Sequence, residues 1–495
     1  MERHPSLPSA VLLMAWGWLI ALASLLGCAT CSAQPLLSVA YATNTSVKLE
    51  QILGDCDWQV WWHSNYCLPT TSQTSNRFGI LGDGQMSSFE CNGKLIVMGG
   101  DAISGDTNHN LHARDPIGYS TTTDPEEGLL INFYTNADGS PVFVKPRDIN
   151  MGGDNLPVSG ITLPNGVYLF LHTGHDAING DTNVYSLLVQ WDENVWTNFT
   201  VGRSISSNAY NGHFVHGCLH GAGTNVCIFG IGAYRASCIY LSMISASNFW
   251  TGTGTMYFAG YTNGEPVWDN GESNAIPVVP QDASVGNVSV AYSPNLGLWL
   301  MTYDAGWRNT NVPNGIYFTY ANEPWGPWAA PQLIFEKARD HALTVYIHQQ
   351  NSCTNCANCP MGDGLQGPVI DQTNDPCMTQ GEAFAPLVIE RFTTVTNNTL
   401  NLYYTMGSFN PYTVLKMRSQ FTVTPQLAIS PYNANHVQLT WPTNWNPILE
   451  ETKVFGDPTL WKTSSVSATL TGGVFSAIAP LTAQPRYFRL VTSPQ

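Results

Sequence analysis

The sequence predicts an all-β chain: a five-bladed β-propeller over residues 34–423 and a small β-sandwich-like module over residues 424–495, behind a signal peptide at residues 1–33. Three observations carry the propeller: an internal repeat, a strand–turn–strand pattern recurring five times, and a near absence of helical periodicity. In the repeat, Asp101-Ala102-Ile103-Ser104-Gly105-Asp106-Thr107-Asn108 returns as Asp176-Ala177-Ile178-Asn179-Gly180-Asp181-Thr182-Asn183. Repeats of such length signal architectures that stack one supersecondary unit.

Each copy is preceded by a hairpin signal. Met86 to Cys91, Asn92-Gly93 and Lys94 to Met98 read as strand, turn and strand. Pro157 to Ile161, Asn165-Gly166 and Val167 to Leu171 read the same way. Asn-Gly between apolar runs suits a two-residue turn, because both residues accept positive φ. Weaker copies run from Phe214 to His220 through Gly221-Ala222-Gly223 to Val226–Phe229, and from Val288 to Tyr292 through Pro294-Asn295 to Leu298–Tyr303. The last runs from Ala385 to Phe392 through Asn397-Asn398 to Leu400–Tyr404. A pair of β-sandwiches or a β-helix explains this spacing less well than radial repetition of small antiparallel sheets.

Composition narrows the partners. The 495 residues carry a formal charge of −16, which loss of Glu2 and Arg3 with the leader leaves unchanged. An acidic surface is a poor match for nucleic acid or an anionic membrane, where phosphate contacts reward Lys and Arg. Hydrophobic residues make up 43%, enough for a large core, and no later run approaches the roughly 20 apolar residues of a membrane span. Arg3, the apolar stretch from Ala10 to Gly27 and small residues ending at Ala33 predict export. A retained anchor, or lipidation at Cys28, is the alternative. Exported cysteines are expected to pair. Cys353, Cys356, Cys359 and Cys377 crowd one stretch and are expected to form two bridges, although their spacing also suits a metal or iron–sulfur cluster. The sequons at Asn44, Asn198, Asn287 and Asn397 fit chance in an Asn- and Thr-rich chain. No cofactor is expected.

Strands joined by a tight turn are antiparallel, so the start of the first and the end of the second lie at one end. This pairs Asp83 with Asp101, Asp154 with Asp176, the His213 region with Arg235, Asn287 with Asp304, and Glu382 with Asn410. If first strands line the axis, these groups ring one mouth of a funnel. Paired carboxyls suit glycoside cleavage, one protonating the leaving oxygen while the other attacks or activates water. Asp and Asn equally cap turns through their own backbone. Trp307 and Tyr404 are candidate stacking surfaces for sugar. His172, His175, His213, His216 and His220 are a weaker metal-binding alternative.

Several motifs then resemble domain-of-unknown-function family 4185. They are Gly260-Tyr261 with Trp268, Val285 to Tyr303, Ala321 to Trp328, and Leu402 to Tyr412 with Met417-Arg418-Ser419; the resemblance runs over about residues 75–421. It implies a five-bladed propeller and, for some members, retaining endo-D-arabinanase activity with two catalytic aspartates on the first hairpin. Asp83 and Asp101 occupy those places. Two neighbourhoods depart from the family pattern: Gly99-Gly100-Asp101-Ala102 where Phe-Gly-Asp-Thr is expected, and Gly407-Ser408-Phe409-Asn410 where Ser-Thr-Trp-Asn is expected. The resemblance makes a polysaccharide the expected partner, with a non-catalytic glycan-binding propeller as the alternative. The module from 424 resembles small β-sandwiches appended to exported proteins, for attachment or carbohydrate binding.

Overall fold

The computed structural model describes residues 36–61, 64–104, 115–146, 154–175, 184–207, 212–280, 283–306, 312–350 and 380–492. Among them is a single α-helix, the five residues Thr74–Phe78. Two compact units are present, one spanning Tyr41–Thr394 with Asn401–Gln420, the other built mainly on the chain from Phe421 onward.

The first unit is a five-bladed propeller. Blade I contains Gln85–Cys91, Lys94–Gly100, Ile117–Ser120 and Asn132–Phe133, hydrogen-bonded in that order. Blade II contains Asp154–Leu163, Gly166–His175, Tyr185–Trp191 and Phe199–Ser207. Blade III runs through His216–Ala222, Asn225–Ile231, Tyr240–Ser245, Met256–Thr262 and Glu265–Asp269. Blade IV contains Val288–Ser293, Leu298–Ala305, Gly315–Ala321 and Gln332–Phe335. Blade V pairs Glu382–Val388, Thr399–Phe409 and Thr413–Pro425, and then takes Val47–Gln51 against that last strand, Val47 opposite Arg418. A strand from before blade I thus closes the ring, which no sequence pattern announced.

The first strand of every blade packs on the first strand of the next, and that of blade V returns to that of blade I. These five strands therefore line the axis. Side chains alternate across a strand, and both faces of the second strands are buried between blades. In Lys94–Gly100, Ile96 and Met98 join the cluster with blade II, while Leu95 and Val97 join the cluster with blade V. In blade II, Leu169 and Leu171 face blade I, while Tyr168 and Phe170 face blade III. Unbroken apolar runs in these second strands are the result. Hydroxyls stitch blades together: Thr405 donates to the Met86 carbonyl at 2.7 Å, and Thr302 to that of Pro386 at 2.6 Å.

The hairpin turns differ in detail from expectation. Asn92 and Gly93 both adopt positive φ, 48° and 78°. In blade II, Leu163 pairs with Gly166, so the loop is Pro164-Asn165. In blade III, Ala222 pairs with Asn225, which moves the turn to Gly223-Thr224.

The expectation of paired cysteines fails at three positions. Cys91, Cys218 and Cys227 are buried thiols. They sit in the apolar layers between blades and behave as small hydrophobes. Burial pushes Cys218 and Cys227 up to about 12. Cys353, Cys356, Cys359 and Cys377 lie outside the described residues.

The second unit pairs a four-stranded sheet (Ala428–Asn433, His436–Pro442, Val474–Pro480, Ala468–Thr471) with a three-stranded one (Lys462–Thr463, Ile448–Thr452, Tyr487–Val491). Leu439, Trp441, Ala477 and Ala479 of the first share a core with Leu449 and Phe488 of the second. That is a small β-sandwich. Among the described residues, no helix is long and apolar enough to cross a membrane.

Candidate active site at one mouth of the propeller

Gln85 pairs with Gly100 and Cys91 with Lys94, so Asp83 and Asp101 flank the same end of the blade I hairpin. Asp83 is fully buried. Its Oδ1 accepts the N–H of Gly100 at 2.7 Å and that of Gln85 at 3.2 Å. Its Oδ2 is buried with no hydrogen-bond partner among the described residues. Burial raises the Asp83 pKa well above the usual carboxylate range; the two N–H groups oppose this, and the Asp101 charge adds to it. A proton on this acid belongs on Oδ2, because Oδ1 already faces two donors. The flanking glycines are steric requirements. A Cβ on Gly99 would lie 2.0 Å from Asp83 Oδ2, and one on Gly84 2.5 Å from the Tyr412 hydroxyl.

Asp101 is half-buried and sits in the left-handed region, φ 67°. Its N–H donates to Asp115 Oδ1 at 3.0 Å. Asp101, Asp83 and Asp115 all act electrostatically on the buried Tyr412 hydroxyl, whose pKa burial has already driven far up.

Blade IV builds a related arrangement. Asp304 is fully buried, with Oδ1 accepting the N–H of Asn287 at 2.9 Å and that of Ala385 at 3.1 Å. Its Oδ2 has no hydrogen-bond partner among the described residues, and a Cβ on Gly286 would lie 2.2 Å from it. Burial pushes Asp304 up to about 6 against the opposing pull of Arg235. Arg235, at φ 58°, lies over the ring of Tyr234 at 4.6 Å and that of Phe384 at 5.7 Å. Tyr234 donates its hydroxyl to Asn287 Oδ1 at 3.1 Å.

A polar bridge across the axis joins the two arrangements. Asn287 Nδ2 donates to Gln85 Oε1 at 2.9 Å and to His216 Nε2 at 3.3 Å. Gln85 and Asn287 therefore present N–H groups to Asp83 and Asp304 while their side chains hold each other. Asn410 is fully buried at φ 53°, its carbonyl accepting the N–H of His348 at 3.0 Å and its side-chain amide unpartnered among the described residues. With Ala385 at φ 49°, four non-glycine residues here hold left-handed backbone, a strain that gathers at functional sites.

The remaining expected residues divide. Glu382 pairs with Phe409 in the sheet, which sets it beside Asn410; it ion-pairs with Lys337 at 2.5 Å and accepts from Asn314 at 3.0 Å. His213 turns away, stacking at 4.0 Å on Tyr240 of the third strand while its N–H donates to Glu272 at 2.6 Å. His216, three residues on and inside the strand, is the histidine on the polar bridge. Tyr404 is fully buried in blade V, its hydroxyl 3.2 Å from Ser419, so it offers no stacking face. The backbone of Asp154 pairs with His175; its side chain, that of His175, and all of Asp176 and Trp307 lie outside the described residues. His172 Nδ1 donates to the Val215 carbonyl at 2.9 Å, and His220 Nε2 lies 3.3 Å from Glu390. Among the described residues no group of three or more His, Cys, Asp or Glu is arranged to hold a metal.

Sequence reasoning missed Gln85, Tyr234, Phe384 and Tyr412. Tyr234 adjoins Arg235, and Tyr412 ends the Asn410-Pro411-Tyr412 run, so adjacency to expected residues was their only signal.

The model for Domain of unknown function (DUF4185) matches residues 70–418. The chain belongs to this family. Among solved structures it is similar to the catalytic domain of the Coprinopsis cinerea GH62 α-L-arabinofuranosidase, at 15% identity over 78% of this chain and 98% of that one, TM-score 0.37. It is also similar to the exo-β-1,3-galactanase of Phanerochaete chrysosporium, at 9% identity over 91% and 97%, TM-score 0.40. A third likeness is the GH43_1 enzyme from Xanthomonas citri, at 11% identity over 71% and 88%, TM-score 0.37. No curated protein matches the chain. The chemistry of this DUF4185 propeller is therefore read from its own side chains.

Proposed function

We propose that this DUF4185 propeller is an exported glycoside hydrolase that cleaves a polysaccharide with retention, D-arabinan-like by family resemblance. One observation supports it above the others: a fully buried carboxyl with a strongly raised pKa interacts with the half-buried Asp101 at the same mouth. Environments that separate two carboxyls in this way assign acid and nucleophile. In the proposed first step Asp101 attacks the anomeric carbon, the glycosidic C–O bond breaks, and the leaving oxygen takes the proton from Asp83. In the second, Asp83 removes a proton from water, which attacks the same carbon and frees Asp101. Arg235, held between Tyr234 and Phe384, is proposed to orient a sugar ring. The leader exports the chain in this reading, and the carboxy-terminal sandwich attaches it or binds glycan.

The complete burial of Asp83 favours a second reading, a glycan-binding propeller in which this carboxyl caps the Gln85 and Gly100 amides. Reducing-end release from a polysaccharide panel that includes D-arabinan separates the two. The hydrolase reading expects release by wild type and none by Asp83→Asn or Asp101→Ala, with glycan affinity kept within a few-fold. Azide rescue of Asp101→Ala with an inverted product would identify the nucleophile. Binding without release on every substrate rejects catalysis.

A further inference from the structure

The opposite end of the axis holds a second concavity of about 420 Å3, a size typical of small-ligand sites. Its wall comes from the first strands of all five blades, among them Phe89, Ser159, Leu219, Ser289 and Leu387. Asp83 and Asp101 flank the end of the blade I hairpin away from its turn, and neither they nor Gln85, Asn287 or Asp304 line this concavity, so it is separate from the candidate active site.

Three features of the wall describe its ligand. First, Ser159 Oγ accepts the N–H of Leu219 at 2.9 Å, and Ser289 Oγ accepts that of Val388 at 3.0 Å. A hydroxyl that accepts keeps its own proton to donate, so two fixed donors stand on a mostly buried wall. Second, the Phe89 ring lies against Gly160 of the next blade, where a Cβ would come within 2.3 Å of the ring. Glycine thus makes room for an aromatic surface beside those hydroxyls. Third, the rim charges are matched across blades. Arg391 donates to both oxygens of Glu90, at 2.7 and 2.6 Å, and His220 Nε2 lies 3.3 Å from Glu390 Oε1. Glu90, held at both oxygens, offers little to a free ion, while the exposed Glu390 keeps its second oxygen for hydroxyl donors.

An aromatic face, hydroxyl donors and carboxylate acceptors around a small volume fit a ring with one C–H face and an equator of hydroxyls. We propose that this concavity is a binding site for one neutral monosaccharide unit, distinct from the candidate active site and independent of whether that site turns over glycan.

Calorimetric titration of the full chain with D-galactose, D-xylose and D-arabinose, each at millimolar concentration, tests this. Saturable binding of at least one is expected. Glu390→Gln, a change at an exposed side chain, should weaken it several-fold, and Ser159→Ala with Ser289→Ala tenfold or more. Because the serine changes orphan backbone amides, thermal unfolding accompanies them; Glu390→Gln keeps the test decisive if they fail to fold. Asp101→Ala should leave this affinity within twofold whether or not it abolishes turnover. Absence of saturable binding with all three sugars, a cavity holding water only, overturns the proposal. So does binding that is lost in Asp101→Ala yet unchanged in Glu390→Gln.

Discussion

Blades I and IV hold buried aspartates in the same manner and give them opposite neighbours. In each, one carboxylate oxygen accepts two main-chain N–H groups and the other lies buried over a glycine that tolerates no Cβ. Asp83 has the negative charge of Asp101 beside it, whereas Asp304 has the guanidinium of Arg235. Burial raises both acids, but the like charge pushes Asp83 further while the opposite charge restrains Asp304 at about 6. The scaffold supplies burial and amides in both blades, and the charged neighbour decides what the acid can do: Asp101 of the same hairpin for Asp83, and Arg235, which follows the blade III hairpin, for Asp304. Beside a carboxylate it can serve as a proton donor to a nucleophilic partner. Beside an arginine it becomes the counter-ion that steadies Arg235, the cation proposed to orient a sugar ring.

The largest expected effect tests that division directly. Asp83→Asn should lower turnover by about 10²–10⁴-fold, the usual contribution of a positioned acid or base, and Asp101→Ala, which removes the proposed nucleophile, should abolish it. Asp304→Asn should act mainly on KM, through the loosening of Arg235. Initial rates on the responsive polysaccharide measure all three. Equal losses of kcat in Asp83→Asn and Asp304→Asn would break the division of roles.

Next comes the pH dependence of stability. Asp304 has a folded value of about 6, above its ordinary 3.8, so the folded state binds its proton more tightly. The stability this contributes is full below the ordinary value and is lost as pH rises through about 6. A gap of about two pH units between the unfolded and folded values corresponds to roughly 3 kcal/mol. Asp304→Asn should remove that slope, and denaturant unfolding of both proteins between pH 4 and 7 would show it. Asp83→Asn should remove a slope of the same sign. Parallel curves for Asp304→Asn and wild type would show that this carboxyl does not titrate in the window.

The glycines come third. Gly99→Ala and Gly286→Ala each drive a methyl into a carboxylate oxygen at 2.0 and 2.2 Å, and overpacking of this kind costs about 1–3 kcal/mol. Gly93→Ala meets no atom within 4 Å but sits at φ 78°, so it isolates backbone strain from collision. Thermal unfolding of the three variants separates the effects; a smaller loss in Gly99→Ala than in Gly93→Ala would argue against a fixed Asp83 carboxyl.

The same two blades show what the sequence made legible. Turn signals and antiparallel geometry brought Asp83, Asp101, Asn287 and Asp304 to one mouth, because hairpin pairing is a local rule that a sequence pattern obeys. The Gln85–Asn287–His216 bridge joins blades I, III and IV, and its partners lie up to 202 positions apart, so no local pattern encodes it. His213 went astray for a related reason. A residue three positions before a strand is not bound by the alternation of that strand, and this one found Tyr240. Ring closure by Val47–Gln51 was hidden too, since a strand that completes a distant sheet resembles any short β segment.

The smallest expected effect is the sharpest test of the comparison, because it exchanges the neighbours and leaves the acids in place. Arg235→Gln removes the cation that lowers Asp304, so the Asp304 pKa should climb above about 6. Asp101→Asn removes the charge that helps to raise Asp83, so the Asp83 pKa should fall. Each pKa is expected to move by on the order of one pH unit, about 1.4 kcal/mol, as for a single nearby charge. Carboxyl-carbon NMR titration reads both groups without requiring turnover, which Asp101→Asn will lack. The signs carry the argument. Burial alone predicts that neither acid moves, and a general loosening of the mouth predicts that both fall as water enters. Opposite movements require that the neighbour sets the difference between blade I and blade IV.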